Sequence, residues 1–345
     1  MGGLTEPTIS WNEATGTIRF INQTLLPGQY EVVTCNTVER LIQAIRRLEI
    51  RGAPALGVAG GMGVALAARA SRATDRQAFL QEVEEASSLL AEARPTAVNL
   101  SWGVNRVLAR VRDAADLPSA RQAAIREAVL MAEEDLAVCM RIGDHGAGLV
   151  PDGATVLTHC NAGALACTGW GTALGVIRSA VLKGKRVQVI ACETRPLFQG
   201  ARLTAWELLR DGIEVTVVPD ASAASLMRRG RVDLVIVGAD RITEDAVFNK
   251  IGTYMHAVCA RHNEIPFYVA APRSTFDPGS TESLVTIEER AREEVSRCGE
   301  YLLVPDGARV ENLAFDATPL TLVSAIVSED GVHRPPYRFA GRPSS

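Results

Sequence analysis

The segment Val-Asp-Leu-Val-Ile-Val-Gly-Ala-Asp, at residues 232–240, decides the fold class of this chain. Its continuous apolar run Leu234–Val237 is typical of a strand buried on both faces, as the strands of a parallel sheet are. Open parallel sheets bind ligands beyond the carboxyl ends of their strands, which is where Asp240 stands. Asp240 is therefore a candidate general acid or base, and a cap for backbone N–H groups is the alternative role.

Similar apolar runs flank this segment at intervals of roughly 20–35 residues, with helical patterns between them. The predicted strands are Ala154–Leu157, Val187–Ala191, Val215–Val218, Leu234–Val237, Phe267–Ala270 and Tyr301–Val304. The predicted helices between them are Leu203–Asp211, Ala221–Arg229 and Lys250–Arg261. This alternation predicts a Rossmann-like, doubly wound parallel sheet.

Helical periodicity dominates the chain before residue 130, after a short strand predicted at Thr17–Ile21. The predicted helices are Val38–Leu48, Ala55–Ala70, Arg76–Ala93 and Ser119–Ile142. We therefore predict an α/β protein with two domains. Residues 1–130 form a mostly helical N-terminal domain with a short β element, and residues 131–345 form the Rossmann-like domain.

Composition limits the class of ligand. The chain has 345 residues, with 36 Lys and Arg against 40 Asp and Glu, which gives a net charge of −4. A nucleic-acid partner is not expected, because such proteins carry a basic excess. The uncharged stretches Gly52–Ala68 and Gly153–Ile177 are rich in Gly and Ala or broken by polar residues. They predict buried elements, and no membrane partner is expected.

The seven cysteines are widely spread and include no C-x-x-C pair, which predicts reduced thiols in a cytoplasmic protein. The first residues, MGGLTEPTIS, lack the basic and apolar regions of a secretory signal. The histidines have no metal-ligand spacing, so no metal site is predicted. The sequence also lacks the glycine-rich fingerprints of nucleotide-binding proteins, and no cofactor is predicted.

Polar residues follow the other predicted strands as well, and they are His159-Cys160-Asn161, Cys192-Glu193, Asp220 and Pro272-Arg273. Cys160 is either a small buried side chain or a reactive group. The Asn-Ala-Gly turn after it allows the backbone amides to face an anion. His159 is not expected to pair with Cys160, because adjacent residues of an extended strand point to opposite faces.

Two further features suggest an anionic ligand. Arg51-Gly52-Ala53-Pro54 opens a predicted helix, and free N–H groups at a helix start beside an arginine suit a phosphate. An ordinary tight turn is the alternative. Lys250 is one of the few lysines and stands at the predicted start of another helix, where a cation opposes the macrodipole. Its position there favours contact with an anion, with chance as the alternative.

Seven segments together resemble the methylthioribose-1-phosphate isomerase family. They are RGAPALG (51–57), RPTAVNL (94–100), THCNAGALA (158–166), ETRPLFQGARLTAWEL (193–208), GADRI (238–242), NKIGTY (249–254) and PFYVAAPRSTFD (266–277). The resemblance implies a helical N-terminal domain, a Rossmann-like C-terminal domain and a homodimer. It also implies isomerisation of a phosphorylated pentose in methionine salvage.

By position, Cys160 and Asp240 match the two catalytic residues of that family. The substrate-contacting positions are matched by Arg51, Gly52, Ala53, Arg94, Gln199, Asn249 and Lys250. Asp240 would protonate the ring oxygen so that the sugar opens, and Cys160 would assist at C1 and C2. An enolate proton transfer and a hydride shift both remain open.

The sequence departs from the family pattern at two places. Cys192 stands where the family usually carries an Asp, and residues 241–248 lack the usual Asn-Gly-Asp. The alternative substrates are therefore 5-deoxyribose 1-phosphate and ribose 1,5-bisphosphate. The alternative function is that of a non-catalytic regulatory subunit of a translation initiation nucleotide-exchange factor, which resembles this chain in fold.

Overall fold

The computed structural model describes residues 6–339. Its helices are α1 Val38–Arg46, α2 Ala53–Ala70, α3 Arg76–Ala91, α4 Val98–Asp113, α5 Leu117–Gly146, α6 Ala173–Leu182, α7 Ala205–Arg210, α8 Ser222–Arg228, α9 Thr253–His262 and α10 Arg292–Ser296. Its strands are β1 Ile9–Asn12, β2 Thr17–Ile21, β3 Val32–Cys35, β4 Ala154–Thr158, β5 Val187–Cys192, β6 Glu214–Val218, β7 Leu234–Val237, β8 Arg241–Ile242, β9 Ala246–Lys250, β10 Phe267–Ala270, β11 Arg297–Cys298, β12 Tyr301–Leu302, β13 Phe315–Pro319, β14 Ala325–Ser328 and β15 Gly331–His333.

The central sheet has the strand order β15-β14-β10-β7-β4-β5-β6. All its pairs are parallel except that of β14 with β15. All four residues of β7 are buried, as their continuous apolar character predicts. The predicted α/β class and Rossmann-like sheet are confirmed. The carboxyl ends of β4 and β7 lie side by side, so the residues that follow them share one edge of the sheet.

The N-terminal helices pack around α2, which is rich in Gly and Ala. A Cβ on Gly103 of α4 would lie 1.9 Å from the carbonyl oxygen of Gly57, so glycine allows α2 and α4 to touch backbone to backbone. Helix α2 is long and apolar enough to cross a membrane by length and composition, yet 78% of it is buried within the protein. Its apolar surface is therefore covered by the neighbouring helices.

Helix α5 runs through the predicted division at residues 130 and 131 without a break. Met131 belongs to the core of the N-terminal helices, whereas Ile142 belongs to the core beside the central sheet. One helix therefore contributes to both cores. The boundary between two domains stays a prediction.

Two predicted elements are wrong. Tyr301–Val304 is not a strand of the parallel sheet: Tyr301 is 80% exposed, and β12 pairs only with β11 in a short antiparallel hairpin. The place beside β10 is taken by β14. Lys250 does not begin a helix either, because it ends β9, which pairs with β13, and α9 begins at Thr253. Helices α4, α6 and α10 have no counterpart among the predicted elements, and neither do strands β1, β3, β8, β9, β11, β13, β14 and β15.

Candidate active site

All nine residues that the sequence motifs assign to the site line one cleft, which we call the main cleft. They are Arg51, Gly52, Ala53, Arg94, Cys160, Gln199, Asp240, Asn249 and Lys250. The cleft lies where the carboxyl ends of β4 and β7 face the start of α2. The structure thus brings these residues together, and their individual roles stay predictions.

Cys160 is held in a backbone conformation that residues other than glycine rarely adopt. Its φ angle is +63°, in the left-handed region. Two hydrogen bonds hold it there: its N–H donates to Oγ1 of Thr194 at 2.9 Å, and its carbonyl accepts from the hydroxyl of Thr204 at 2.7 Å. Such strain persists where neighbouring contacts fix the backbone, often at functional sites.

Thr194 also has a positive φ angle, of +65°, and Asp220 holds it. The Asp220 carboxylate accepts the backbone N–H of Thr194 at 2.8 Å and that of Arg195 at 2.7 Å. Residues 160–163 form a turn that we call the Cys160 turn. Asp220 therefore supports the backbone of this turn through Thr194. It does not line the main cleft.

Glu207 organises the turn that follows Cys160. It is 1% exposed, and its carboxylate accepts from the side chain of Asn161 at 2.9 Å and from the backbone N–H groups of Ala164 and Leu165 at 2.8 and 3.1 Å. The guanidinium of Arg178 lies 2.8 Å from Glu207 and 2.6 Å from Asp211, so the two carboxylates share its positive charge. Sequence reasoning missed Glu207, because the three groups that it contacts lie more than 40 residues earlier in the chain.

The start of α2 forms the side of the main cleft opposite the strands. Gly52 has a φ angle of +94°, and a Cβ there would lie 2.5 Å from the backbone of Ala166, so only glycine fits. No side chain of residues 6–339 caps α2, which leaves its first N–H groups available. Arg51, just before it, is 8% exposed. Together they form a site suited to a phosphate.

Asp240 lies at the edge of β7, and its backbone N–H donates to the carbonyl of Phe248 at 2.8 Å. Burial raises the pKa of its carboxyl group. The positive charges of Lys250, Arg94 and Arg51 partly oppose this increase in pKa. Burial therefore favours the carboxylic acid form, which a proton donor requires.

The Cys160 thiol is electrostatically coupled to the same groups. Burial raises its pKa, while the charges of Arg51 and Lys250 act in the opposite direction. Because an ordinary thiol already has a pKa of 9.0, the Cys160 thiol keeps its proton at neutral pH. It can donate a hydrogen bond but cannot act as a strong base.

Lys250 brings an ammonium group into the main cleft from the end of β9. Its Nζ atom donates to the carbonyl of Ala314 at 2.7 Å and lies 4.5 Å from the ring centre of Phe315. Burial lowers its pKa, and the Cys160 and Asp240 groups act in the opposite direction. Its neighbour Asn249 is 5% exposed and donates to the hydroxyl of Thr253 at 3.0 Å.

Two arginines of the main cleft share one carboxylate. Nη2 of Arg94 lies 2.8 Å from Glu288, and Nη1 of Arg290 lies 2.7 Å from the other oxygen of Glu288. The Nε atom of Arg94 is buried and has no partner within residues 6–339. Arg290 lies outside all seven sequence motifs, so it is not among the predicted site residues.

Gln199 offers an unused polar atom to the main cleft. It is 6% exposed, and its Oε1 has no hydrogen-bond partner in the described part of the chain. The glycine after it is fixed by close packing, because a Cβ on Gly200 would lie 1.7 Å from the carbonyl oxygen of Cys192. A buried amide oxygen without a partner is suited to accept from a ligand hydroxyl.

His159 does not pair with Cys160, as expected. Its Nε2 lies 2.8 Å from the carbonyl oxygen of Ile251, and its Nδ1 lies 3.2 Å from Nε2 of His256. Burial lowers the pKa of His159 to about 4 and that of His256 to about 3. Both rings are therefore neutral at physiological pH, and they lie behind the main cleft.

A second space, which we call the side compartment, adjoins the main cleft. It shares Gly52, Ala53, Arg94, Asp240 and Phe315 with the main cleft. Its apolar lining residues are Leu56, Ala97, Val98, Phe248, Val285, Ile287 and Phe315. A ligand in the main cleft can therefore extend an apolar group past Asp240.

The fold and the main cleft define an α/β protein with a cleft suited to a small anionic ligand at the carboxyl ends of its strands. A family model described as "Initiation factor 2 subunit family" matches residues 49–335, and the chain belongs to this family. It is 49% identical over 332 residues to the methylthioribose-1-phosphate isomerase of Thermotoga maritima, covering 96% of this chain and 95% of the relative. It is also 49% identical over 334 residues to the 5-deoxyribose 1-phosphate isomerase of Moorella thermoacetica, with the same coverage.

Two solved structures are similar over nearly the whole chain. The 5-methylthioribose 1-phosphate isomerase of Pyrococcus horikoshii OT3 has a TM-score of 0.90 and 40% identity, covering 97% of this chain and 94% of that one. The translation initiation factor eIF-2B subunit delta of A. fulgidus has a TM-score of 0.87 and 50% identity, covering 96% and 97%. The names of similar proteins thus include both enzymes and a translation factor subunit.

Proposed function

We propose that this protein is an aldose–ketose isomerase that converts 5-methylthioribose 1-phosphate to 5-methylthioribulose 1-phosphate, a reaction of methionine salvage. One observation carries the proposal: a buried carboxyl group with a raised pKa and a protonated thiol share a cleft with several cations. The names of similar proteins support it. The predicted homodimer and cytoplasmic location stay predictions.

The phosphate binds at the start of α2. The backbone N–H groups of Gly52 and Ala53 and the guanidinium of Arg51 suit this anion, and Lys250 adds a second charge. Neither Arg51 nor Lys250 forms a salt bridge with a carboxylate within residues 6–339, so both charges are available to the ligand. Binding at one end fixes the sugar ring against the strand ends.

Asp240 starts the reaction as a general acid. A sugar phosphorylated on its anomeric oxygen does not open spontaneously, so Asp240 gives its proton to the ring oxygen while the bond from that oxygen to C1 breaks. A hydrogen then passes from C2 to C1 with its electron pair. The C2 hydroxyl returns its proton to the Asp240 carboxylate, and a ketone forms. Asp240 thus recovers the proton that it gave.

A direct hydrogen shift suits the state of Cys160. An enolate route needs a base that removes the proton from C2, and the thiol holds its own proton at neutral pH. Cys160 instead faces the reacting carbons as a weakly hydrated group and helps to exclude water. Its constrained backbone keeps it in this place.

The apolar lining of the side compartment favours a substrate with an apolar substituent on C5. Its two arginines each lie near a carboxylate: Arg94 is 2.8 Å from Glu288, and Arg241 is 3.8 Å from Asp277. A second phosphate, as in ribose 1,5-bisphosphate, would compete with those carboxylates. A methylthio group would contact the apolar lining instead.

5-Deoxyribose 1-phosphate is the second candidate substrate, because a relative carries that name. Its methyl group also fits an apolar compartment but buries less surface than a methylthio group. A regulatory role in a translation factor, as the name of the A. fulgidus structure suggests, would not require Cys160 and Asp240 in one cleft.

The test is a turnover screen with the purified full chain and no added metal or nucleotide. Methylthioribose 1-phosphate, 5-deoxyribose 1-phosphate and ribose 1,5-bisphosphate are compared by kcat/KM. We expect the values to decrease in that order. Turnover of none of them would reject the isomerase function, and preference for the bisphosphate would reject the apolar role of the side compartment.

A further inference from the structure

Four side chains that are common metal ligands meet behind the main cleft. They are His159, Cys192, Asp220 and His256, and their ligand atoms all lie within 4.8 Å of one another. They come from four separate segments: the ends of β4 and β5, the turn after β6, and α9. None of them lines the main cleft, so the proposed isomerase chemistry leaves them unused.

The spacing is close to that of a zinc site. A tetrahedral zinc ion with bonds of about 2.0–2.3 Å holds its ligand atoms roughly 3.3–3.8 Å apart. Nδ1 of His159 lies 3.2 Å from Nε2 of His256 and 3.8 Å from Oδ1 of Asp220. No separation in the cluster exceeds 4.8 Å, so none has to contract by more than about 1.5 Å.

The surroundings of His159 match those of a metal ligand. Its Nε2 lies 2.8 Å from the carbonyl of Ile251, so this nitrogen carries the proton and Nδ1 keeps its lone pair. His256 is fully buried, and its Nδ1 has no partner within residues 6–339. With an ion bound to its Nε2, which faces Nδ1 of His159, the neutral His256 ring carries its proton on Nδ1.

The charges also balance. Zinc with one thiolate, one carboxylate and two neutral imidazoles has no net charge, which a buried site requires. Binding releases the proton of the Cys192 thiol, while the imidazoles stay neutral. The Asp220 side chain is 20% exposed and provides the way in from solvent.

We propose that His159, Cys192, Asp220 and His256 form a structural zinc site. All four positions around the ion are filled by protein, so no substrate binds to it. The ion restrains the Cys160 turn through two of its ligands. His159 directly precedes Cys160, and Asp220 accepts the N–H of Thr194, whose hydroxyl oxygen accepts the N–H of Cys160. Cys192 supplies the soft thiolate ligand that favours zinc.

The experiment uses the full chain, stripped with a chelator and then loaded with Zn²⁺ or Co²⁺. Zinc is counted by mass spectrometry after gel filtration, and Co²⁺ is observed through its thiolate charge-transfer band. We expect one zinc per chain, a higher Tm with zinc, and a Co²⁺–thiolate band. Zinc retention falls at least about tenfold in Cys192→Ala and in His256→Gln.

Controls separate this cluster from other thiols. Cys298→Ser removes an exposed thiol, and Cys167→Ser removes a member of a second cluster with Asp135 and Cys139; both variants keep the zinc. Cys192→Asp serves as a second variant in case Cys192→Ala fails to fold, because it replaces the thiolate by an oxygen ligand. In this variant the Co²⁺–thiolate band disappears. The proposal is overturned if the wild-type chain retains no zinc or if folded Cys192→Ala retains it. Loss of zinc in Cys167→Ser, or a Co²⁺–thiolate band that persists in Cys192→Asp, would overturn it as well.

Discussion

Arg51 donates hydrogen bonds to Asn161 from both of its terminal nitrogens. Nη1 donates to the side-chain oxygen at 2.8 Å, and Nη2 donates to the backbone carbonyl at 2.7 Å. The arginine stands at the start of α2, and the asparagine directly follows Cys160. This contact joins the proposed phosphate site to the proposed catalytic thiol, so a change at one residue is expected to affect both.

Asn161→Ala removes the side-chain acceptor of Arg51 and the donor to Glu207. We expect KM for the pentose phosphate to increase roughly tenfold, equivalent to a lost hydrogen bond to a charged group of about 1.5 kcal/mol, and kcat to decrease. Steady-state kinetics measure both. The control is Asn105→Ala on exposed α4 surface, which leaves both constants unchanged. Unaltered kinetics in Asn161→Ala would contradict the coupling.

The pH profile tests the protonation state of Asp240. The carboxylic acid is the active form, and burial raises its pKa, so kcat stays constant below that pKa and decreases as pH increases through it. Arg94 lowers this pKa and Glu288 raises it. The alkaline limb should therefore move to higher pH in Arg94→Gln and to lower pH in Glu288→Gln. Shifts in the same direction in both variants would argue against Asp240 as the acid.

Gly52→Ala tests the close approach of α2 to the Cys160 turn. The new Cβ would lie 2.5 Å from the backbone of Ala166, at a φ angle of +94°. We expect a lower Tm and a higher KM than in Gly184→Ala, because Gly184 has a similar φ of +85° but nothing within 4 Å. In the control, Gly184→Ala, the free energy of unfolding decreases only by the cost of a positive φ angle at alanine, about 1–2 kcal/mol. Equal Tm values for the two variants would show that the contact does not constrain α2.

Isotope retention tests the hydrogen shift. A substrate carrying deuterium on C2 should keep it on C1 of the product, because the Cys160 thiol is not a base at neutral pH. Cys160→Ser should lower kcat at least about tenfold, since a more strongly hydrated hydroxyl replaces the thiol. Retention should be the same in both proteins. Loss of the label to solvent would instead indicate an enolate.

The strands that the sequence predicts correctly are those whose apolar runs are buried on both faces, such as Leu234–Val237. The run Tyr301–Val304 has similar composition but lies at an exposed hairpin, and composition alone does not reveal exposure. The prediction that Lys250 begins a helix is wrong because Lys250 ends a strand that pairs with Phe315–Pro319, some 65 residues later. A pattern of neighbouring residues does not reveal such a distant partner.

The candidate site shows the same limit. Asp240 and Cys160 were found because each follows a strand, where ligands bind in open sheets. Arg290 and Glu207 were missed because their importance depends on contacts that no local pattern indicates. His159, Cys192, Asp220 and His256 have no metal-ligand spacing in the sequence, and folding alone brings them together.

The most direct measurement of the central claim follows the phosphorus signal of methylthioribose 1-phosphate by ³¹P NMR. With the wild-type chain, the signal of the anomeric phosphate should give way to that of a primary phosphate, with no inorganic phosphate released. Asp240→Asn should slow this change at least about 10²-fold, whereas Asp144→Asn on the surface of α5 should not. Near-normal conversion by Asp240→Asn, or release of inorganic phosphate by the wild-type chain, would contradict the account.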